Sequence, residues 1–147
     1  MTITYNTVQE VYNRNYGSER LYKRNSYNTL SYTQGVMDFQ QTLEAHWIVD
    51  IIISYMPTIL KAYENNTFSF FVIEIVLNKN QQGYMEVFTE DYIDGVYNKH
   101  IFILKQDISF IDLPTKEDEE ITTYRFYLEI SSFEPINFTL FLPSEYW

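Results

Sequence analysis

The chain of 147 residues contains no cysteine. It therefore forms no disulfide and offers no thiolate for catalysis or metal binding. Its four glycines, at positions 17, 35, 83 and 95, are isolated from one another, whereas a phosphate-binding loop needs several glycines in close spacing. These two scarcities exclude thiol enzymes, thiolate metal proteins and nucleotide-binding proteins of the glycine-loop type.

Long apolar runs are also missing. The most apolar stretch, "AHWIVDIIISYMPTIL", carries His46, Asp50 and Pro57 and is shorter than a bilayer-spanning helix requires. The first twenty residues lack a basic segment followed by an apolar run, so we expect no signal peptide. Together with the absence of cysteine, this pattern predicts a cytoplasmic protein.

Positive charge is scarce, and its distribution is uneven. The net charge is −10, with +2 in residues 1–35 and −12 in residues 36–147. Such a field repels nucleic acid and attracts basic protein surfaces. The alternative is that acidity only keeps the chain in solution. Aromatic residues make up 18% and hydrophobic residues 46% of the chain, which is enough for the core of a single domain spanning residues 1–147.

Helical periodicity dominates the first part of the chain. Thr7 and Glu10 have the spacing of a capping box, which predicts a helix from Val8 that stops near Gly17. A second helical region begins after Thr33 as its cap. Its apolar residues recur at steps of three and four: Val36, Phe39, Leu43, Trp47, Ile51 and Tyr55. This region is either one helix or two abutting helices, and Pro57 ends or bends it.

After residue 66 the apolar period changes to two, which indicates strands. Five segments fit: "TFSFFVIEIVLN", "YMEVFTED", "KHIFILKQDISFI", "TTYRFYLEISS" and "INFTLFLP". The first is apolar on both faces, as in a central strand. The short links favour an antiparallel meander. We therefore predict an α+β fold, with N-terminal helices packed on one face of an antiparallel meander sheet of about four or five strands.

Five segments in order carry a resemblance: "GSERLYKR" (17–24), "LSYTQGV" (30–36), "HWIVDII" (46–52), "KQDISFIDLP" (105–114) and "LPSEY" (142–146). They resemble a family of small bacterial and phage proteins of unknown function, whose patterns include LYTDGV, YWLxDAI and a C-terminal LPSEY. The chain departs from these patterns at Gln34, where the family usually has Asp, and in a longer, more acidic loop at residues 115–121. The resemblance implies a small α+β domain from a bacterium or mobile element, and it implies no activity.

The helical region contains one candidate for catalysis. His46 and Asp50 are four residues apart, so an imidazole and a carboxylate can meet as in a general base. This spacing supports a small-metabolite hydrolase, whereas a polar pair bordering a buried helix is the structural alternative. His46 and His100 are the only histidines, and their spacing predicts no metal site. We predict no cofactor.

Basic and acidic clusters remain. Arg14, Arg20, Lys23 and Arg24 alternate with tyrosines, a combination that holds single-stranded nucleic acid. We favour pairing of these cations with the acidic part of the chain, because they are few against its charge.

The acidic residues expected to form one wide patch are Glu117, Asp118, Glu119, Glu120, Glu90, Asp91 and Asp94. Such carboxylates can dock on an arginine-rich channel that otherwise holds phosphates. The sequence thus predicts a non-catalytic inhibitor of phage or mobile-element type. It would occupy a basic surface of a nucleic-acid-handling host protein, such as a CRISPR effector or another defence protein. A module that self-associates through its aromatic surface is a further alternative.

Overall fold

The computed structural model describes residues 3–17, 20–23, 29–93 and 95–145, with the backbone alone at 91–93 and 97–99. Within these residues the chain forms three helices: α1 (Tyr5–Arg14), α2 (Gln34–Thr42) and α3 (Trp47–Asn66). Its strands are β1 (Leu21–Tyr22), β2 (Leu30–Thr33), β3 (Phe70–Asn78), β4 (Gly83–Ile93), β5 (Val96–Ile108), β6 (Ile121–Phe133) and β7 (Ile136–Phe141). A short 3-10 turn, Pro143–Glu145, follows the last strand. The α+β class is confirmed.

The sheet of the described residues has seven strands in the order β1-β2-β7-β6-β3-β4-β5, so the prediction of four or five strands was too low. The meander was also wrong, because β6 pairs with β3 rather than with β5. β2 and β7 are parallel, whereas the other pairs are antiparallel. β3 is central, as its apolar residues on both faces predicted. A meander would have left β3 with only one neighbour among the five long strands.

Helices pack against one face of the sheet, where the core lies. On β3 the residues Phe71, Ile73 and Ile75 are fully buried and join a cluster with residues of all three helices. Phe39 of α2 is fully buried, and its ring centroid lies 5.2 Å from that of Phe126 in β6. We call the opposite face of the sheet the open face. There Arg125 of β6 pairs with Glu74 of β3 at 2.6 Å.

The helix boundaries differ in part from expectation. The first helix begins at Tyr5 rather than Val8, and the Thr4 N–H donates to the Thr7 hydroxyl at 3.4 Å. Thr33 caps α2 as predicted, since its hydroxyl accepts from the Val36 N–H at 3.4 Å. The second helical region is two helices. Pro57 does not end α3, because it is exposed and water can hydrate the carbonyl group whose donor is lost.

No helix in the described part of the chain is long and apolar enough to cross a membrane.

Candidate functional site

The acidic segment between β5 and β6 is a folded loop held against the core. We call residues 113–120 the acidic loop. Just before it, Ile111 is fully buried, and Leu113 at its start is 2% exposed. Both side chains belong to the core cluster beneath the helices. Because these two apolar residues are buried, the loop leaves the sheet from a fixed position.

Hydrogen bonds hold the backbone of the acidic loop. The side-chain amide of Gln81, in the β3–β4 turn, donates to the carbonyl oxygens of Ile111 and Leu113, both at 2.7 Å. The hydroxyl of Tyr124 donates to the carbonyl oxygen of Pro114 at 2.5 Å. Tyr124 is fully buried, and this burial raises the pKa of its hydroxyl, so it remains a donor. The early part of the loop is therefore anchored from below.

The tip of the loop is tied to its neighbours in the same way. The Lys116 N–H donates to the hydroxyl of the buried Thr122 at 2.9 Å. The ammonium group of Lys79 donates to the Glu117 carbonyl oxygen at 2.8 Å and also to that of Lys116. The acceptor Thr122 comes from the strand after the loop and the donor Lys79 from the β3–β4 turn, so the tip has partners on two sides.

The carboxylates project outward from this backbone. All four acidic residues, 117–120, are exposed. The carboxylate of Glu119 lies 3.6 Å from the ammonium nitrogen of Lys116, and its side chain is still 57% exposed. Contacts of this kind are weak in water. Four carboxylates against the ammonium groups of Lys116 and Lys79 leave this part of the surface with a net negative charge. Sequence reasoning placed these carboxylates on a loop but did not predict its anchoring.

A cavity of about 950 Å³ adjoins the acidic loop. It is bounded by the start of α1, the end of α2, the β3–β4 turn and residues 112–119. Tyr5 lines it, and the Lys116 ammonium nitrogen lies 5.1 Å from the centre of the Tyr5 ring. Glu44 and Asp112 add carboxylates to its wall. The face of the Tyr5 ring is therefore already in contact with a cation of the loop, and the carboxylates are what the cavity offers to a partner.

Glu90, another of the predicted acidic residues, lies far from the loop. Gly83 at the start of β4 is opposite Ile108, beside the acidic loop, whereas Ile93 is opposite Val96 at the other end of the hairpin. Glu90 is exposed near that far end. At about 3.3 Å per residue, the length of β4 from Gly83 to Glu90 separates Glu90 from the acidic loop by roughly 20–25 Å. The expectation of one wide anionic patch was therefore wrong.

Two residues of the predicted acidic patch are described only in part or not at all. The backbone of Asp91 pairs with that of Asn98 in the hairpin. Asp94 lies outside the described residues.

His46 and Asp50 lie at the start of α3. His46 is the N-cap residue and Asp50 falls in the first turn, and both are exposed. Neither lines the cavity beside the acidic loop. The hydrolase alternative stays a prediction.

The second histidine lies on the open face. His100 of β5 contacts the Glu86 carboxylate and stacks on Phe88, with ring centroids 4.1 Å apart. Among the described residues there is no group of three or more histidine, aspartate or glutamate side chains that could hold a metal ion.

Arg14 pairs with the acidic part of the chain, as favoured above. Its guanidinium group donates to both oxygens of Asp38, at 2.6 and 2.7 Å. The Thr42 hydroxyl and the Asn15 side-chain amide also donate to this carboxylate, each at 2.8 Å. The hydrogen bond from Arg14 is the largest influence on Asp38 and lowers its pKa below the usual value. The network joins α1 to α2. Arg24 lies outside the described residues.

One important carboxylate was missed by sequence reasoning. Glu145 is 7% exposed and accepts from the Thr33 hydroxyl at 2.6 Å, the Gly35 N–H at 3.2 Å and the Leu142 N–H at 2.9 Å. It therefore binds the first turn of α2, where a negative charge is favoured. The segments "LSYTQGV" and "LPSEY", about 110 residues apart in the chain, meet at this point. The contact between these two segments has a structural role. The sequence alone does not show that the two segments are in contact.

Comparison with known proteins gives one match. No curated protein and no solved structure matches the chain. A family model covers residues 6–146, and its description is a family of unknown function, DUF6876. This agrees with the resemblance to a family of unknown function. The chain belongs to the family DUF6876.

Proposed function

We propose that this protein is a non-catalytic binding protein that presents the acidic loop to a basic surface of a partner protein. The observation that carries the proposal is the anchoring of the loop. Four consecutive exposed carboxylates stand on a backbone that is held by Gln81, Tyr124, Thr122 and Lys79. A segment that is ordered before binding loses less conformational entropy when it docks.

The chemistry of the loop supports a basic partner. Its carboxylates accept charge-assisted hydrogen bonds, and arginine is the side chain best suited to donate them in pairs. The adjoining cavity adds the carboxylates of Glu44 and Asp112 at the edge of the same surface. Residues 117–120 form the main contact in this proposal. Glu90 and the backbone of Asp91 lie at a different end of the sheet.

The partner class that we propose is a nucleic-acid-handling protein of the bacterial host. A basic channel that binds phosphates also accepts a row of carboxylates, so the protein would act as an inhibitor in the host cytoplasm. A CRISPR effector or another anti-phage defence protein fits this description. This part of the proposal is supported by the charge of the loop and by analogy with small acidic phage proteins.

The test is capture from host lysate at low salt with three baits, followed by mass spectrometry. The baits are the parent chain, a variant with residues 117–120 changed to lysine, and a control variant with the same change in charge. The control carries lysine at four other exposed positions, Glu10, Glu64, Glu129 and Glu134. We expect a basic protein that the parent and control baits retain and the loop variant loses.

Two further results bear on the proposal. Retention should fall as salt rises, because exposed charge contacts are screened. Glu90→Lys together with Asp91→Lys should leave the captured protein in place, since these residues lie at the other end of β4. Equal loss with the loop and control variants would show that only net charge matters, and the proposal would then fail.

A further inference from the structure

The strand β5 forms one edge of the sheet. It runs from Val96 to Ile108, pairs with β4 on one side, and has no strand neighbour on the other side among the described residues. The strand at the opposite edge, β1, has only two residues. A long edge strand presents a row of backbone donors and acceptors to any added strand.

The end of β5 has a self-complementary sequence. Residues 104–108 read "LKQDI", which is apolar, positive, polar, negative, apolar. When two copies run antiparallel about Gln106, each Lys105 is opposite an Asp107 and each Leu104 is opposite an Ile108. Opposite charges and apolar pairs at directly opposed positions stabilise a sheet. No other register gives both kinds of pair within these five residues.

The side chains of this segment lie on the faces that such pairing requires. Lys105 is opposite Glu86 and Asp107 is opposite Tyr84, which places both on the open face. Lys105 is exposed, with its ammonium nitrogen 4.1 Å from the centre of the Tyr84 ring. Leu104 is opposite Val87 and, like Ile108, packs at the border of the core cluster. A two-fold axis perpendicular to the sheet keeps each face on its own side.

A second copy fits this edge better than it fits the acidic loop. The chain has a net charge of −10, so two copies repel one another over most of their surfaces. Residues 104–108 are neutral as a group, and their charges match those of the second copy. A register shift between Val87 and Phe88 interrupts the ladder just beyond Leu104 and limits regular pairing to this segment.

We propose that two copies of this chain pair antiparallel through the outer edge of β5, centred on Gln106, to form one continuous sheet. Lys105 of each copy faces Asp107 of the partner subunit. This proposal does not depend on the proposed function, because the pairing uses residues 104–108 and none of residues 117–120.

Charge exchange tests the pairing by sedimentation or light scattering. Lys105→Asp alone and Asp107→Lys alone each create two like-charge contacts, so we expect dimerisation to weaken by roughly tenfold or more. The double variant restores opposite charges in exchanged positions and should recover dimerisation. As matched controls, Lys61→Asp and Glu64→Lys on the exposed side of α3 should leave it unchanged.

A cysteine probe tests the register, since the parent has none. Directly opposed residues of antiparallel strands have a Cα separation of about 4.5–5.5 Å, within the range of a disulfide. Gln106→Cys should give a disulfide-linked dimer under mild oxidation, and Asn80→Cys in the exposed β3–β4 turn should not. A parent that is monomeric up to millimolar concentration would overturn the proposal. So would a dimer that neither single reversal weakens, or equal cross-linking at the two cysteines.

Discussion

The contact between Gly35 and Glu145 gives the most demanding test of the fold. A Cβ atom added at Gly35 would lie 2.5 Å from both Cδ and Oε1 of Glu145. Such a separation forces the carboxylate to move, and with it the hydrogen bonds from Thr33 and Leu142. Gly35→Ala should therefore cost about 2 kcal/mol of unfolding free energy. In an ordinary helix the same change would instead stabilise by about 0.5–1 kcal/mol.

Removing the carboxylate should reverse the sign of the glycine substitution. Glu145→Ala leaves two backbone N–H groups and one hydroxyl without their acceptor, and we expect a loss of about 3–4 kcal/mol. In that background Gly35→Ala meets no carboxylate and should stabilise by about 0.5–1 kcal/mol. The coupling between the two positions is then about 2–3 kcal/mol.

Urea denaturation of the parent, the two single variants and the double variant measures this coupling. The prediction concerns the sign of the glycine effect in each background, which is independent of the absolute stability of the parent. If Gly35→Ala has the same effect with and without Glu145, the contact does not constrain this position, and the structural role given to the two motifs is wrong.

Three smaller predictions concern other contacts. Asp38→Asn should lower the free energy of unfolding by about 1–2 kcal/mol at neutral pH, a modest loss because Arg14 is half exposed. Because the pKa of Asp38 is lowered in the folded protein, the difference in unfolding free energy between parent and variant should vanish as the pH falls through that pKa. Denaturation series at several pH values measure this difference. Tyr124→Phe removes the donor to the Pro114 carbonyl oxygen and should cost about 1–2 kcal/mol and speed amide exchange in the acidic loop. Glu44 has a φ of 54° after α2, so Glu44→Gly should raise the unfolding free energy by about 0.5–1 kcal/mol; a loss would contradict a left-handed backbone there.

The helices and strands were largely readable from local patterns. The steps of three and four from Val36 to Tyr55 indicated helix, and Thr33 marked the start of α2 because a cap is a local signal. Of the two effects predicted for Pro57, an end of the helix does not occur, since burial of apolar residues on both sides of it holds α3 together. Local signals report the cost of a helix interruption but not the tertiary contacts that outweigh it.

The order of the strands was not readable in this way. The segment of β3 was predicted to be central, yet a meander would have placed it beside only one of the other long strands. These two expectations conflict, and giving the apolar pattern more weight than the link lengths would have given β3 a second long neighbour, without showing that this neighbour is β6. The link between β5 and β6 does not turn tightly, because Ile111 and Leu113 are buried under the helices.

The candidate site was predicted in composition but not in shape. Residues 117–120 were identified from the charge run alone, and they are exposed. The anchoring of the loop depends on Gln81 and Tyr124 at its start and on Lys79 and Thr122 at its tip, contacts that no local pattern identifies. Glu90 is far from the loop because β4 leads away from it. The direction of β4 relative to the loop is known only once the strand pairing is known.

The central claim is that the acidic loop binds a basic partner. The most direct test is the dissociation constant of the captured protein, measured at several salt concentrations for the parent, the variant reversed at residues 117–120 and the variant reversed at the four control positions. We predict that the loop variant loses at least roughly tenfold in affinity relative to the control variant and most of its salt dependence. Equal affinities for these two variants would contradict the account.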